Sequence, residues 1–103
     1  MDVLILRYNN NPLYKDRRWL KKRENILRRD DYTCQECERY GKTKPANTVH
    51  HIYPLELYFE LRFLSINLIS LCAKCHGKMH NRVTNEITAL GLTWQKRIGK
   101  IGI

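Results

Sequence analysis

The chain has 103 residues, which is enough for one small domain. Hydrophobic residues make up 43% of it, so the core is thin and a bound metal would help to hold the fold. The net charge of +9 favours a polyanionic partner, most often nucleic acid. The sequence argues against a membrane protein, because no apolar run approaches the roughly 20 residues that a spanning helix needs.

The four cysteines form two Cys-x-x-Cys pairs, Cys34 with Cys37 and Cys72 with Cys75. The N-terminus does not resemble a signal peptide, since the acidic Asp2 precedes a very short apolar run. We therefore expect a cytoplasmic protein, in which thiols stay reduced. Paired, reduced cysteines favour a closed structural Zn²⁺ site with four thiolates over buried free thiols or two disulfides.

Residues 16–29 are predicted to form a helix, which follows an asparagine-rich, loosely held arm. Asp16 is suited to the N-cap position. Apolar side chains recur at helical spacing and form one stripe, at Trp19, Leu20, Ile26 and Leu27. Arg23 lies on the same stripe, where its aliphatic stem could cover the edge of the core.

The other faces of this helix are strongly basic. They carry Arg17, Arg18, Lys21, Lys22, Arg28 and Arg29. A charge run of this kind is usually a solvated helix face. Here Glu24 is the one acid inside the run, so we predict a face that contacts DNA phosphates without reading the base sequence.

Residues 48–52 and 68–71 are predicted to form two short strands. Pro54 ends the first strand, because proline has no backbone donor to continue a ladder. The apolar and aromatic connection at residues 55–66 is compatible with a helical turn or with a packed loop. Each Cys-x-x-Cys pair is predicted to form a tight knuckle, and a helix is predicted over residues 73–82.

Residues 84–103 carry a weaker pattern. Their apolar positions fit a helix or a strap across the core, interrupted at Gly91; these positions are Ile87, Leu90, Leu92 and Trp94. We therefore divide the chain into an N-terminal arm at residues 1–14, a central domain at residues 15–82 and a C-terminal extension at residues 83–103.

All four histidines lie within residues 48–80, beside the cysteine framework. Imidazole serves as a metal ligand or a general base because its proton leaves near neutral pH. His50 and His51 are adjacent, so their side chains would point to opposite faces of a regular strand. They can serve one site if the strand ends or bulges at this point, which the nearby Pro54 favours.

At these residues the chain resembles the zinc-stabilised HNH endonucleases. The resemblance rests on Val49-His50-His51-Ile52, on Asn67-Leu68 and on Cys72-x-x-Cys75-His76. The segment from Trp19 to Cys37 is also similar to the family's lead-in, so the likeness covers roughly residues 19–82. The size and the ending at residues 76–80 look most like the small HNH proteins of tailed bacteriophages and prophages.

The resemblance implies an α+β fold, a small zinc-stabilised ββα-metal (His-Me finger) domain with the basic helix before it. It implies that His51 is the general base and that His50 and His76 hold a catalytic divalent metal, so that His76 also belongs to the catalytic residues. Asn67, the third catalytic residue that it implies, would orient the loop and hold His51 in its productive tautomer. The physics fits, because a cation stabilises charge that grows on the phosphate.

The residue at position 50 leaves the choice of metal open. Many family members have aspartate where this chain has His50, and imidazole suits Zn²⁺ or Ni²⁺ better than Mg²⁺. The catalytic ion is therefore expected to be Mg²⁺, Mn²⁺, Ni²⁺ or Zn²⁺.

On a helix, His80 would share a face with His76 and could bind the metal, contact phosphate or cap the helix. Lys74 and Lys78 flank His76 and are expected to contact DNA.

The function predicted is a metal-dependent endonuclease that nicks or cuts duplex DNA with low sequence specificity. The phage resemblance implies a place in the cytoplasm of a bacterial host cell and a role in genome packaging beside terminase and portal proteins. The alternative is a non-catalytic zinc-ribbon module that binds nucleic acid, which gives His51 and Asn67 no task. A homing nuclease is disfavoured, because no further DNA-reading domain is recognisable.

Overall fold

The computed structural model describes residues 11–99, which form four α-helices and one two-stranded antiparallel sheet. The elements are α1 (Arg17–Arg29), α2 (Gln35–Glu38), β1 (Thr48–His51), β2 (Leu68–Leu71), α3 (Ala73–Gly77) and α4 (Ala89–Ile98). Short 3-10 turns cover Pro12–Lys15, Phe59–Leu61 and Ser65–Asn67. None of the helices described is long and apolar enough to cross a bilayer.

The predicted arm lies mostly outside the described residues. Its last residues are packed rather than loose, because Leu13 is buried in the same core cluster as Trp19. The connection between the strands combines the two predicted alternatives. It contains 3-10 turns, and the side chains of Leu55 and Leu61 are buried, so it is both turned and packed.

The predicted helix is confirmed as α1. It begins after Asp16, whose side chain accepts a hydrogen bond from the backbone N–H of Arg18 at 2.8 Å. Its buried residues are Trp19, Ile26 and Leu27. The predicted stripe is too wide at Leu20, which is 51% exposed. Arg23 is half-buried, and its guanidinium donates to the carbonyl oxygen of Asn47 at 2.8 Å.

The two predicted strands pair as an antiparallel hairpin, in which His50 lies opposite Ile69 and His51 opposite Leu68. The two faces of the hairpin belong to different clusters. Val49 packs on the α1 side, whereas Ile69 packs with the cysteines. Strand β1 ends at His51, one residue before the predicted end. The sheet therefore separates a helix-facing core from a cysteine-facing core, and the two adjacent histidines lie at its end.

The helix predicted over residues 73–82 is too long, because α3 ends at Gly77. The two backbone carbonyl oxygens after Gly77 accept hydrogen bonds from Thr88, which is not part of α3. The Thr88 hydroxyl lies 2.6 Å from the carbonyl oxygen of Lys78, and the Thr88 N–H donates to that of Met79 at 3.0 Å. His80 then pairs with Ile87 in an isolated antiparallel bridge. Tertiary hydrogen bonds thus replace the helical ones.

The weak C-terminal pattern forms helix α4, and Gly91 lies inside it instead of interrupting it. The N-cap is Thr88, whose hydroxyl accepts from the Gly91 N–H at 3.2 Å. Leu90, Trp94 and Ile98 pack against the cysteine-facing core. Gly91 is needed for a close approach, because a Cβ there would lie 2.8 Å from the carbonyl oxygen of Met79.

We expect Gly91→Ala to lower the free energy of unfolding by about 1–3 kcal/mol, as overpacked core positions do. The added methyl would also lie 2.5 Å from Cγ1 of Ile87, so the helix must shift. Urea denaturation followed by circular dichroism measures the change. Gly77→Ala is the matched control, since nothing lies within 4 Å of its added Cβ. Equal stabilities for Gly91→Ala and the wild type would contradict this packing.

Candidate active site and metal centre

The four cysteines converge from two short helices. Cys34 and Cys72 are the N-cap residues of α2 and α3, and Cys37 and Cys75 lie inside the first turn of each. All four sulfur atoms lie within 4.8 Å of one another, and no disulfide joins them. The Sγ atom of Cys37 is 3.6 Å from that of Cys75 and 3.9 Å from that of Cys72. Tetrahedral zinc with Zn–S bonds of about 2.3 Å places its sulfurs about 3.8 Å apart, so the cluster fits zinc.

The electrostatics of the cluster also favour a cation. Burial raises the pKa of the Cys37 and Cys75 thiols. Burial opposes ionisation of Cys72 as well, but hydrogen bonds from the Cys75 backbone N–H and the neighbouring thiols lower its pKa to about 7. Four thiolates can therefore coexist here only with a positive ion among them. Within residues 11–99, this is the one assembled group of three or more potential metal ligands.

His51 is held on the α1 side of the hairpin. Its ring stacks on Trp19, with centroids 4.8 Å apart and planes 22° apart. Its Nε2 atom lies 3.2 Å from the carbonyl oxygen of Arg62. A carbonyl oxygen can only accept, so Nε2 carries the proton and Nδ1 carries the lone pair of the neutral ring. Burial lowers the pKa of His51 to about 4, against the opposing effect of the Arg62 carbonyl, so the ring is neutral near pH 7.

The other three histidines meet on the opposite face. The ring centroid of His50 lies 5.3 Å from that of His76 and 5.6 Å from that of His80. His80 was predicted to share a helix face with His76. That reason is wrong, because α3 ends before His80. The turn after α3 nevertheless brings the His80 ring close to His50. Buried Nε2 of His50 and buried Nδ1 of His80 have no hydrogen-bond partner among the described residues.

Burial lowers the pKa of His50, His76 and His80, and the neighbouring rings lower those of His50 and His76 further. The three rings are therefore neutral near pH 7, which is the form that binds metal. Unpartnered buried nitrogens are costly unless a ligand uses them. The two unpartnered nitrogens therefore suit a divalent ion, although the ligand atoms of the three histidines are not gathered as closely as the cysteine sulfurs.

One cavity of about 360 Å³ joins the two faces at the end of β1. His50, His51 and His80 all line it. The sequence required the strand to end at His50 and His51 if both were to serve one site. Strand β1 does end at His51. The residues that carry a potential proton acceptor and potential metal ligands thus line the same space, although the side chains of His50 and His51 leave the strand in opposite directions.

Asn67 is fully buried and contacts the loop instead of His51. Its Oδ1 accepts from the Tyr53 N–H at 2.7 Å, and its Nδ2 donates to the carbonyl oxygens of Tyr53 at 3.2 Å and Leu61 at 3.4 Å. The predicted loop-orienting role fits these contacts. The predicted hold on His51 would act through a relay, because Asn67 binds the carbonyl oxygen of Leu61 and the adjacent Arg62 carbonyl binds the imidazole.

The predicted DNA-contacting residues fall into different environments. Arg29 is used structurally, because its guanidinium donates to the carbonyl oxygens of Ser65 at 2.9 Å and Leu68 at 2.7 Å. Arg18 pairs with Asp16 at 2.8 Å, and Arg28 lies 3.8 Å from Glu24. Arg17 and Lys21 are exposed, and Lys22 is half-buried.

Sequence reasoning missed two lysines beside the cysteine cluster. Lys42 and Lys44 line a cleft of about 310 Å³ together with the predicted Lys74 and Lys78. All four are exposed. Lys42 and Lys44 come from the loop after α2, which carries no periodic signal, so only the folded chain reveals their proximity to α3. Four like charges on one surface create an attractive field for phosphates.

Comparisons with known proteins agree with this geometry. The family model described as HNH endonuclease matches residues 34–82. Among solved structures, the chain is similar to the HNH endonuclease of the deep-sea thermophilic bacteriophage GVE2, determined with manganese ion, with 39% sequence identity and a TM-score of 0.61. The similarity covers 62% of this chain and 70% of that one. No curated protein matches the sequence.

Proposed function

This chain belongs to the HNH endonuclease family, and on that premise we propose that it nicks or cuts duplex DNA with metal dependence and little sequence preference. The observation that carries the proposal is the shared cavity, into which His50, His51 and His80 open. A neutral proton acceptor and a set of neutral metal ligands are the two components that phosphodiester hydrolysis needs.

His51 is the general base of this proposal. Its Nδ1 lone pair takes the proton of the attacking water, because Nε2 is already occupied by the bond to the Arg62 carbonyl at 3.2 Å. That carbonyl then faces the positive ring, and the stacked face of Trp19 also favours a cation. Asn67 is a positioning residue, since it holds the backbone that holds the ring.

His50 and His76 would hold the divalent ion, and His80 is a third candidate ligand because its ring lies 5.6 Å from that of His50. When bound, such an ion supplies positive charge against the charge that develops on the phosphate. Imidazole ligands favour Ni²⁺ or Zn²⁺ over Mg²⁺. Mn²⁺ is supported by the manganese in the similar phage enzyme. A separate structural Zn²⁺ is assigned to Cys34, Cys37, Cys72 and Cys75.

DNA is the proposed partner, held mainly through its phosphates. The exposed basic residues proposed for this contact are Arg17, Lys21, Lys42, Lys44, Lys74 and Lys78. Arg18, Lys22 and Arg28 remain secondary candidates. Arg29 is omitted, because its guanidinium binds backbone carbonyls of the fold. Phosphate contacts position a protein without reading sequence, which is why low specificity is part of the proposal.

The biological setting is proposed from the relative. Its bacteriophage source supports a phage or prophage origin for this chain and hence a bacterial host cell. We include a role in genome packaging beside terminase and portal proteins, supported by the resemblance to small phage HNH proteins. Co-purification of the tagged chain with the terminase of its own phage tests that role, and recovery of the chain alone would contradict it.

Supercoiled-plasmid nicking tests the enzymatic proposal. Zinc-loaded protein is incubated with plasmid and with Mg²⁺, Mn²⁺, Ni²⁺ or Zn²⁺, and relaxed and linear products are separated on agarose. We expect nicking with at least one of these ions. We expect no nicking when a chelator removes the added divalent ion but leaves the cysteine-bound zinc in place. Binding of DNA without nicking under every ion would instead favour a non-catalytic zinc-ribbon module, which gives the buried histidines no task.

A further inference from the structure

The cavity at the histidines is larger than a metal ion requires. Its volume of about 360 Å³ falls within the range of about 300–1,000 Å³ that is usual for organic ligands. His50 and His80 occupy one part of its lining. The remaining space adjoins the histidines, so any group that fills it lies beside the reacting phosphate.

The rest of the lining matches a nucleobase better than it matches a second phosphate. Tyr14, Leu55 and Tyr58 supply apolar and aromatic walls, and the amides of Asn85 and Gln95 supply donors and acceptors. Flat π-systems bind to such walls, and their polar edges pair with amides.

Two carboxylates, Glu56 and Glu86, also line the cavity. They would repel a second phosphate, but they can accept hydrogen bonds from the amino groups of a base.

Leu57 lines this cavity and is 76% exposed. Its backbone lies in a hydrogen-bonded turn. The N–H groups of Leu57 and Tyr58 both donate to the Pro54 carbonyl oxygen, at 3.1 and 2.9 Å, and the neighbouring Leu55 is buried. An exposed apolar side chain on a hydrogen-bonded turn beside a proposed nucleic-acid site is suited to enter between stacked bases.

We propose that Leu57 is a wedge that opens the base stack beside the scissile phosphate and that the cavity receives the freed base. The inference rests on the proposed function and adds a substrate class to it. The preferred substrate is DNA with an unpaired or extrahelical nucleotide at the cleavage point, because such DNA has already lost the stacking that Leu57 must break.

Cleavage rates on two matched substrates test the wedge. One is an intact labelled duplex and the other carries a single unpaired nucleotide at the mapped cut site. We expect Leu57→Ala to slow cleavage of the intact duplex by ~10-fold or more while leaving cleavage of the bulged duplex near the wild-type rate. Val83→Ala is the matched control, since Val83 is 88% exposed and is not among the residues that line the cavity.

The outcomes separate the wedge from the nuclease. If Leu57→Ala slows cleavage of both substrates equally, or does not slow cleavage of the intact duplex, the wedge is overturned. Cleavage by the wild type in the same experiment still supports the endonuclease. A wild type that cleaves neither substrate overturns the proposed function itself.

A binding readout in the absence of cleavage completes the test of the wedge. With 2-aminopurine at the cut site and the divalent ion omitted, wild type should raise the fluorescence of the intact duplex and Leu57→Ala should not. Equal fluorescence with both proteins at saturating binding would also overturn the wedge. Zinc content and circular dichroism check that Leu57→Ala is folded.

Discussion

His51→Ala is expected to reduce the single-turnover nicking rate by about 10²–10⁴-fold, the usual contribution of a positioned general base. The variant removes the unpartnered Nδ1 of a residue that lines the cavity and leaves the proposed ligand histidines in place. Substrate affinity should change little, since the proposed phosphate contacts lie on other side chains. The measurement is the rate of plasmid relaxation with enzyme in excess, together with DNA affinity from a gel-shift titration.

His51→Ala also leaves a gap beside Trp19, so packing must be controlled. His51→Gln keeps much of the side-chain volume against the indole but provides no imidazole nitrogen to accept a proton. We expect both variants to be equally slow and to retain zinc and native circular dichroism. If either variant nicks at more than about a tenth of the wild-type rate, the base is another group.

Cys37→Ser is expected to prevent stable folding. Cys37 is buried, and its sulfur contacts the sulfurs of both Cys72 and Cys75. Structural zinc contributes about 10–16 kcal/mol in small zinc peptides, which is comparable with the 5–15 kcal/mol total stability of a typical domain. A hydroxyl is a poor zinc ligand, so much of that contribution is lost. Circular dichroism and elemental analysis should show low helix content and less than one zinc per chain.

Glu38→Gln is the matched control for this variant. It lies in the same short helix, α2, and its exposed carboxylate bonds only to the Gln35 side chain among the described hydrogen bonds. We expect wild-type zinc content and melting temperature from it. A zinc-free Cys37→Ser protein with a native spectrum and a cooperative melt would show that the core, and not the metal, holds the fold.

The predictions succeeded where the signal was local. The helical stripe and the Asp16 cap predicted α1, and Pro54 placed the end of β1 within one residue. They failed where a distant partner decided the outcome. Helix α3 stops at Gly77 because Thr88 takes the carbonyl groups beyond it.

Gly91 was misjudged for a related reason. Its tolerance within α4 depends on the neighbouring Met79 backbone rather than on helix propensity.

The candidate site shows the same division. The adjacency of His50 and His51 and the spacing of the cysteines are sequence features, and the family resemblance assigned their roles. The stacking of Trp19 on His51 and the Arg62 carbonyl contact join residues that are far apart in the chain. No periodicity encodes such contacts, so Trp19 was predicted only as a core residue. The wedge position of Leu57 likewise depends on the folded turn.

Two metal centres are expected to divide the work, with the cysteines holding the fold and the histidines serving the chemistry. Anomalous diffraction from crystals of zinc-loaded protein soaked in manganese can locate both. We expect a zinc signal among the four cysteine sulfurs and a separate manganese signal beside His50 and His76. Manganese bound elsewhere, with the histidine cluster empty at saturating concentration, would contradict this division of work.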